Sequence, residues 1–283
     1  MIDLHTHTNA SDGTRTPAAL VALAREAGVT TLAVTDHDTV AGLARAARAA
    51  AAAGIGFVPG IEITAVWDGS DVHMLAYGID PSSPRLQAFL GRQRADRERR
   101  ARLIGERLAA LGAPVDVERV IEDARPVTVS RPLIAAALIA AGHAADTRDA
   151  FDRYLGEGGR AYATRVGATP ADVVRMIADD GGFTSMAHPA ITGRDEIIPD
   201  LAAAGMTALE VYHSDHDAAT VARYRALALD LGLAVTGGSD YHGTDDLPHR
   251  RLGGTPLPAD DFVALCGRAG ARARGRFRGV AVP

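Results

Sequence analysis

One short apolar run after another in this chain carries a histidine or a carboxylate at its end. IDLHTHT holds His5 and His7, and TTLAVTDHD closes with Asp36, His37 and Asp38. PGIEI holds Glu62, VHMLAYGI holds His73, AHP holds His188, EVYH holds His213, and GSDYH holds Asp240 and His242. Alanine-rich stretches with helical spacing separate most of these runs. Such strand-helix alternation predicts a parallel sheet, open or closed into a barrel. In an α/β barrel the downstream ends of the strands meet on one face, so the polar residues there converge. Histidines with only structural roles would scatter through helices and loops instead.

Local signals set the helix limits. Thr16 suits an N-cap, Pro17 a first turn and Gly28 an end; Gly54 ends a second helix over about 40–53. Further helices are expected near 170–180, 195–204 and 217–231. Residues 83–165 break the rhythm and read as an inserted, mostly helical subdomain, leaving 1–82 and 166–283 to the barrel. Within the insertion, RQRADRERRARLIGER interleaves arginine with Asp96, Glu98 and Glu106. That pattern predicts a solvated helix face laced with ion pairs rather than a nucleic-acid stripe. The arginine-rich end, RARGRFRGVAVP, reads as a solvated tail.

A net charge of -5 argues against a general nucleic-acid surface and a stable DNA complex. The single cysteine, Cys266, cannot form an internal disulfide, sits in a helical FVALCGR context, and fits a reducing compartment. No apolar run reaches membrane-spanning length and the opening strand is no signal peptide, so the expected location is the cytoplasm, with no membrane partner.

The geometry of each motif bears on chemistry. Side chains two apart on a strand share a face, so His5 and His7 can reach one metal, and Asp240 and His242 repeat the arrangement. Asp12-Gly13 alone is a turn. Glu62 lies between Ile61 and Ile63 and so points opposite to core, where a glutamate on a central strand needs a charged partner. Nitrogen and oxygen donors without thiolate suggest a polynuclear site for zinc, manganese or iron. His143 and His249 read as surface residues. His213 and His216, beyond another strand end, are candidates to touch substrate.

DLHTHTNASDG, TDHDT, PGIEI, AHP and GSDYH together resemble the polymerase-and-histidinol-phosphatase (PHP) family of metal-dependent phosphoesterases, nearest its TrpH-like branch, which also carries a helical insertion. The resemblance implies a distorted (β/α)7 barrel holding three divalent metal ions, manganese before zinc or iron. It implies that His5, His7, Glu62 and Asp240 bind the first ion. Glu62, His73 and His188 would bind the second, and Asp12, His37 and His242 the third. Glu62, His188 and Asp240 would form the catalytic group, with Asp36 and Asp38 behind them orienting histidines. It implies hydrolysis of 3′,5′-bisphosphonucleotides at the 3′-phosphate, or 5′-to-3′ degradation of short RNA, with the insertion helping to hold the substrate. A metal-shared hydroxide would attack phosphorus. Ser130 and Arg131 would meet a second phosphate. Leu133 stands where the branch has histidine, and Gly159-Arg160 where a basic residue and proline are usual; both bear on substrate choice.

Three other readings compete: a histidinol-phosphate phosphatase, a metal-binding accessory module for a polymerase, and a metal-dependent amidohydrolase. The insertion argues against the first and the lack of any attached polymerase region against the second. Against the third, the chain has no lysine to carboxylate.

Overall fold

The computed structural model describes residues 1–124, 129–243 and 249–280. It divides into two compact units. One comprises residues 1–67, 71–87 and the chain from 168 onward; the other comprises 68–70 and 88–167.

The first unit is built on seven strands: β1 (Ile2–Asp3), β2 (Thr31–Val34), β3 (Gly56–Trp67), β4 (Ser70–Tyr77), β5 (Phe183–Met186), β6 (Ala208–His213) and β7 (Ala234–Gly238). They lie side by side in chain order. Backbone bonds from Leu4 N–H to Gly237 O (3.1 Å) and from Asp240 N–H to His5 O (2.9 Å) join the last strand to the first and close a barrel. Gly238 permits that closure, because a Cβ there would collide with the backbone of His5.

The sheet is mixed, not parallel throughout. β4 pairs antiparallel with β5, whereas β5–β6, β6–β7, β1–β2 and β2–β3 are parallel. Only Asp68 and Gly69 separate β3 from β4, both at positive φ (48° and 74°), as a two-residue hairpin turn demands. This reversal corrects the reading of His73. It lies near the start of β4, not the end, and the antiparallel direction carries that start to the barrel mouth.

The helices, in chain order, are α1 (Pro17–Glu26), α2 (Leu43–Ala53), α3 (Pro84–Ala110), α4 (Val117–Ala124), α5 (Arg131–Ala140) and α6 (Thr147–Ala150). After them come α7 (Pro170–Asp179), α8 (Pro189–Thr192), α9 (Ile198–Ala203), α10 (Ala218–Asp230), α11 (Ala259–Arg268) and α12 (Ala271–Arg274). Thr16 caps α1 by accepting from Ala19 N–H, and Gly54 closes α2 in the left-handed conformation. Leu20, Val21 and Ala24 of α1 are buried, as are Leu32, Phe57, Ile61, Ile63, Met74 and Leu75 of the sheet. Each large one contributes about 1.5–3 kcal/mol by leaving water.

The second unit has its own apolar core, including Ile104, Leu108, Ile121, Ile134, Leu138 and Leu155. The arginine run on α3 is ion-paired: Arg99 with Asp96 at 2.8 Å, and Arg102 with Glu98 (3.5 Å) and Glu118 (2.6 Å).

The arginine-rich C-terminal stretch is not a solvated tail. Arg276 donates to the carbonyls of Gly78 (2.7 Å) and Asp180 (3.1 Å), and Arg278 exchanges backbone hydrogen bonds with Phe57. Arg274 likewise donates to the carbonyls of Cys266 (3.0 Å) and Ala269. Gly78, at φ 60°, lets the segment dock, since a Cβ there would stand 2.7 Å from that of Ala273. Ala281, Val282 and Pro283 lie outside the described residues. Among the described residues no helix is long and apolar enough to cross a membrane.

Candidate metal centre

The strand ends deliver their polar side chains to one point, and that point is the carboxylate of Glu62. Its Oε1 lies 3.0 Å from His73 Nδ1 and 3.1 Å from His188 Nε2. Its Oε2 lies 3.2 Å from both His5 Nε2 and His7 Nε2, and 3.3 Å from His37 Nδ1. Asp240 Oδ1 adds contacts of 3.3 Å to His5 and 3.1 Å to His7. On the open side, Asp12 stands 3.4 Å from His242 Nε2 and 3.6 Å from His37 Nε2. Glu62, His5 and His7 are buried, while the side chain of Asp12 is 54% exposed.

The backbone at these strand ends is unusual. Among the described residues, four that are not glycine have positive φ, and three of them, Asp38, His188 and Asp240, are here. Such conformations persist where the surroundings over-determine them.

Charge and burial oppose each other throughout the cluster. Burial would raise the pKa of Glu62, but His37, His5 and His73 hold it well below the usual carboxylate range. Asp240 is likewise held down, against burial, by His5, His213 and His7. Burial would lower His7, yet the oxygens of Asp240 and Glu62 push it up to about 10. Burial wins at His37, helped by His7 and His73, and takes it down to about 4.

These residues fit divalent cations. Both ring nitrogens of His7, Nδ1 of His37, Nδ1 of His73 and Nδ1 of His188 are buried without a hydrogen-bond partner. Buried polar atoms are nearly always paired, so this concentration calls for a ligand. Carboxylate oxygens approach several of these nitrogens closely but off the N–H direction. Ligand atoms of His5, His7, Glu62 and Asp240 all lie within 4.8 Å of one another, as do those of His7, Asp12, His37 and His242, and those of His37, Glu62 and His73. The donors are nitrogen and oxygen only, the set that suits zinc, manganese or iron. His242 Nδ1 lies 2.9 Å from the Asp240 carbonyl and donates to it, which turns the lone pair of Nε2 towards Asp12.

All nine residues expected as ligands therefore meet in one cluster. Other expectations need correction. Asp36 does not orient a histidine. It accepts from Thr8 N–H and Thr8 Oγ1 (both 2.7 Å) and from Ser11 Oγ (2.8 Å), and so holds the turn that carries Asp12. Asp38 accepts from Thr64 N–H at 2.9 Å, and its charge acts on His73. His213 is buried and committed: Nδ1 accepts from Asp215 N–H (3.1 Å) and Nε2 faces Asp240 Oδ2 (3.3 Å). It supports Asp240 and has no nitrogen left for a substrate. His216 donates from Nδ1 to Val211 O at 2.9 Å, and burial lowers its pKa. Its Nε2 is buried, out of reach of a substrate.

Ser130 and Arg131 lie in the second unit. Ser130 is the N-cap of α5, and Arg131 stacks over Phe151 (5.7 Å) with a 3.4 Å hydrogen bond to Leu155 O. His143 is at the surface, bonded to Pro114 O, and His249 pairs with Asp215. Cys266 is buried.

Two participants escape a sequence reading. Glu210 is buried, 2.9 Å from His5 Nδ1. Its signal was present: Leu209 and Val211 flank it as Ile61 and Ile63 flank Glu62. Arg250 donates to both Asp215 and Asp240 from a loop, where no local pattern marks it.

Residues 3–110 match the PHP domain. The chain is 35% identical to a 3′,5′-nucleoside bisphosphate phosphatase of Chromobacterium violaceum, over 87% of this chain and 92% of that one. Identity is also 35% to a phosphoribosyl 1,2-cyclic phosphate 1,2-diphosphodiesterase of Eggerthella lenta (85% of this chain, 94% of the other). It is again 35% to the 5′-3′ exoribonuclease Rnm of Escherichia coli (85% and 84%). A solved structure from Bifidobacterium adolescentis, described as a metal-dependent phosphoesterase, superposes with a TM-score of 0.81 at 33% identity, covering 95% of this chain and 96% of that one.

Proposed function

The chain belongs to the PHP-domain family, and from that premise we propose that it is a metal-dependent phosphoesterase removing the 3′-phosphate of 3′,5′-bisphosphonucleotides. A second activity is 5′-to-3′ hydrolysis of short RNA, a reading favoured by the equal identity to the exoribonuclease. One observation carries the reading: a single buried carboxylate, Glu62, within 3.3 Å of five imidazoles.

His5, His7, Glu62 and Asp240 would hold one divalent ion, Glu62, His73 and His188 a second, and Asp12, His37 and His242 a third. Manganese is the first choice, ahead of zinc or iron. Bound there, such ions supply an activated water and neutralise charge on the phosphoryl oxygens. The protein's own groups do the rest. Glu62 fixes the spacing of the sets it joins, and His213 and Arg250 hold Asp240 in place. Asp12, the exposed ligand, faces the side from which substrate arrives. Ser130 and Arg131 would meet a phosphate of the substrate, for which a guanidinium is suited. The enzyme acts in the cytoplasm on small nucleotides or RNA ends.

The test is an assay of the manganese-loaded protein on a 3′,5′-bisphosphonucleotide, a 5′-phosphorylated oligoribonucleotide, a 1,2-cyclic phosphoribosyl compound and histidinol phosphate. Release of inorganic phosphate from the first, leaving the 5′-monophosphate, is the expected result. Preference for the cyclic compound or histidinol phosphate would overturn the substrate assignment.

A further inference from the structure

Outside the three ligand sets, Glu210 is fully buried and touches two of the residues in them. Glu210 sits in β6, and its two oxygens have different partners. Oε1 lies 2.9 Å from His5 Nδ1, and Oε2 accepts the backbone N–H of His188 at 2.7 Å. These partners come from different places in the sheet, one just after β1 and the other just after β5.

Each contact has a geometric effect. An ionised carboxylate only accepts, so the ring proton of His5 stands on Nδ1. Nε2, which faces Glu62 Oε2 (3.2 Å) and Asp240 Oδ1 (3.3 Å), is then the nitrogen that would give up its proton to an ion. At His188 the backbone has φ 27° and ψ 61°, outside the regions that side-chain-bearing residues favour. The bond from Glu210 satisfies the His188 N–H in that conformation, and the same conformation brings His188 Nε2 to 3.1 Å from Glu62 Oε1.

Ligand atoms of Glu210, His5 and His213 also fall within 4.8 Å of one another, which raises the possibility of a further metal. The hydrogen bonds answer it. Both Glu210 oxygens and His5 Nδ1 are engaged with each other or with His188, and both nitrogens of His213 are engaged with Asp215 and Asp240. These hydrogen bonds already occupy the atoms such an ion would need.

We infer that Glu210 is a positioning residue for two metal ligands at once, fixing the tautomer of His5 with one oxygen and the backbone of His188 with the other. Carboxylates behind a histidine ligand commonly orient the ring and raise its basicity. Here the second oxygen extends that support across the barrel, so the first and second ion sites are built on one shared strut. The inference rests on the reading that His5 and His188 hold metal.

Two measurements test it. Glu210→Gln keeps the shape but has one acceptor oxygen for two donors. Glu210→Asp keeps the charge but is too short to span both. Each variant is titrated with manganese, following the free ion by electron paramagnetic resonance, with folding checked by circular dichroism. The expected result is binding weakened about 10–100-fold at two of the ions, with the ion at Asp12 unaffected. A folded variant that takes up manganese like the wild type overturns the inference. The second measurement needs no variant: ring 15N spectra of the zinc-loaded wild type should show His5 protonated on Nδ1, and protonation on Nε2 overturns it. A wild-type protein that takes up no metal at all would instead sink the metal reading beneath it.

Discussion

Glu62 Oε2 and His7 Nε2 lie 3.2 Å apart, both shut off from solvent, and no hydrogen bond joins them. The oxygen stands at hydrogen-bond distance but off the direction a ring N–H would take. Two ligands of one cation adopt this arrangement once the ring has given up its proton, each then aiming a lone pair at a shared point. His37 and His73 repeat it against the same carboxylate. The cluster is thus shaped for an object between its side chains, and this governs what its variants should do.

Glu62→Gln removes the charge on which the sets converge. Turnover should fall to background and metal content should drop by at least one ion per chain, measured by phosphate release and elemental analysis. An active, fully loaded variant would contradict the bridging role.

Metal uptake should release protons. His7, held up to about 10 in the metal-free chain, is charged at pH 7 and must lose its proton to bind; His37, held down to about 4, is already neutral. Calorimetry in two buffers of different ionisation enthalpy at pH 7 should therefore detect release, and uptake should weaken as pH falls. Heats independent of the buffer would refute this.

The same two rings set opposite limits on metal-free stability. The contribution of His37, whose folded pKa is depressed, is complete above its unfolded value of 6.5 and is lost as pH falls towards 4. That of His7, whose folded pKa is raised, is complete below 6.5 and is lost as pH rises towards 10. Melting temperature in chelator should peak near pH 6.5. A steady rise to alkaline pH would argue against these environments.

Asp36→Ala should act at a distance from its own position. It strips acceptors from Thr8 and Ser11, leaving a buried N–H unpaired at a cost of about 1–3 kcal/mol. With the turn released, Asp12 should lose its ion while the inner sites keep theirs. Uniform loss of all metal, or of none, would count against this.

Arg131→Ala should raise KM for a bisphosphonucleotide about tenfold or more, the equivalent of one charge-assisted hydrogen bond. KM for a simple phosphomonoester should hardly move. Equal effects on both would show that Arg131, stacked on Phe151, acts only within its own unit.

Much of the centre was legible in the sequence because a strand gives its side chains a period of two. Ile61 and Ile63 announce the direction of Glu62, and His5 announces that of His7. What depends on strand direction was not legible: His73 reaches the mouth only because β4 runs backwards. Long-range pairing was equally hidden. The arginine-rich stretch reads as solvated, whereas Arg276 finds its acceptors in the carbonyls of Gly78 and Asp180, both far off in sequence. Glu210 carries the same flanking pattern as Glu62, but its partners, His5 and the His188 backbone, are distant in sequence, so the pattern alone does not tie it to the centre.

Asp38, His188 and Asp240 share a backbone conformation suited to glycine, each at a cost of roughly 1–3 kcal/mol. Glycine at any of the three would relax the chain locally and remove a side chain the centre uses. Selection for durability alone would therefore erode this protein at the barrel mouth first. A thermostable descendant obtained by screening for survival after heating, with no demand on activity, should accumulate its changes there.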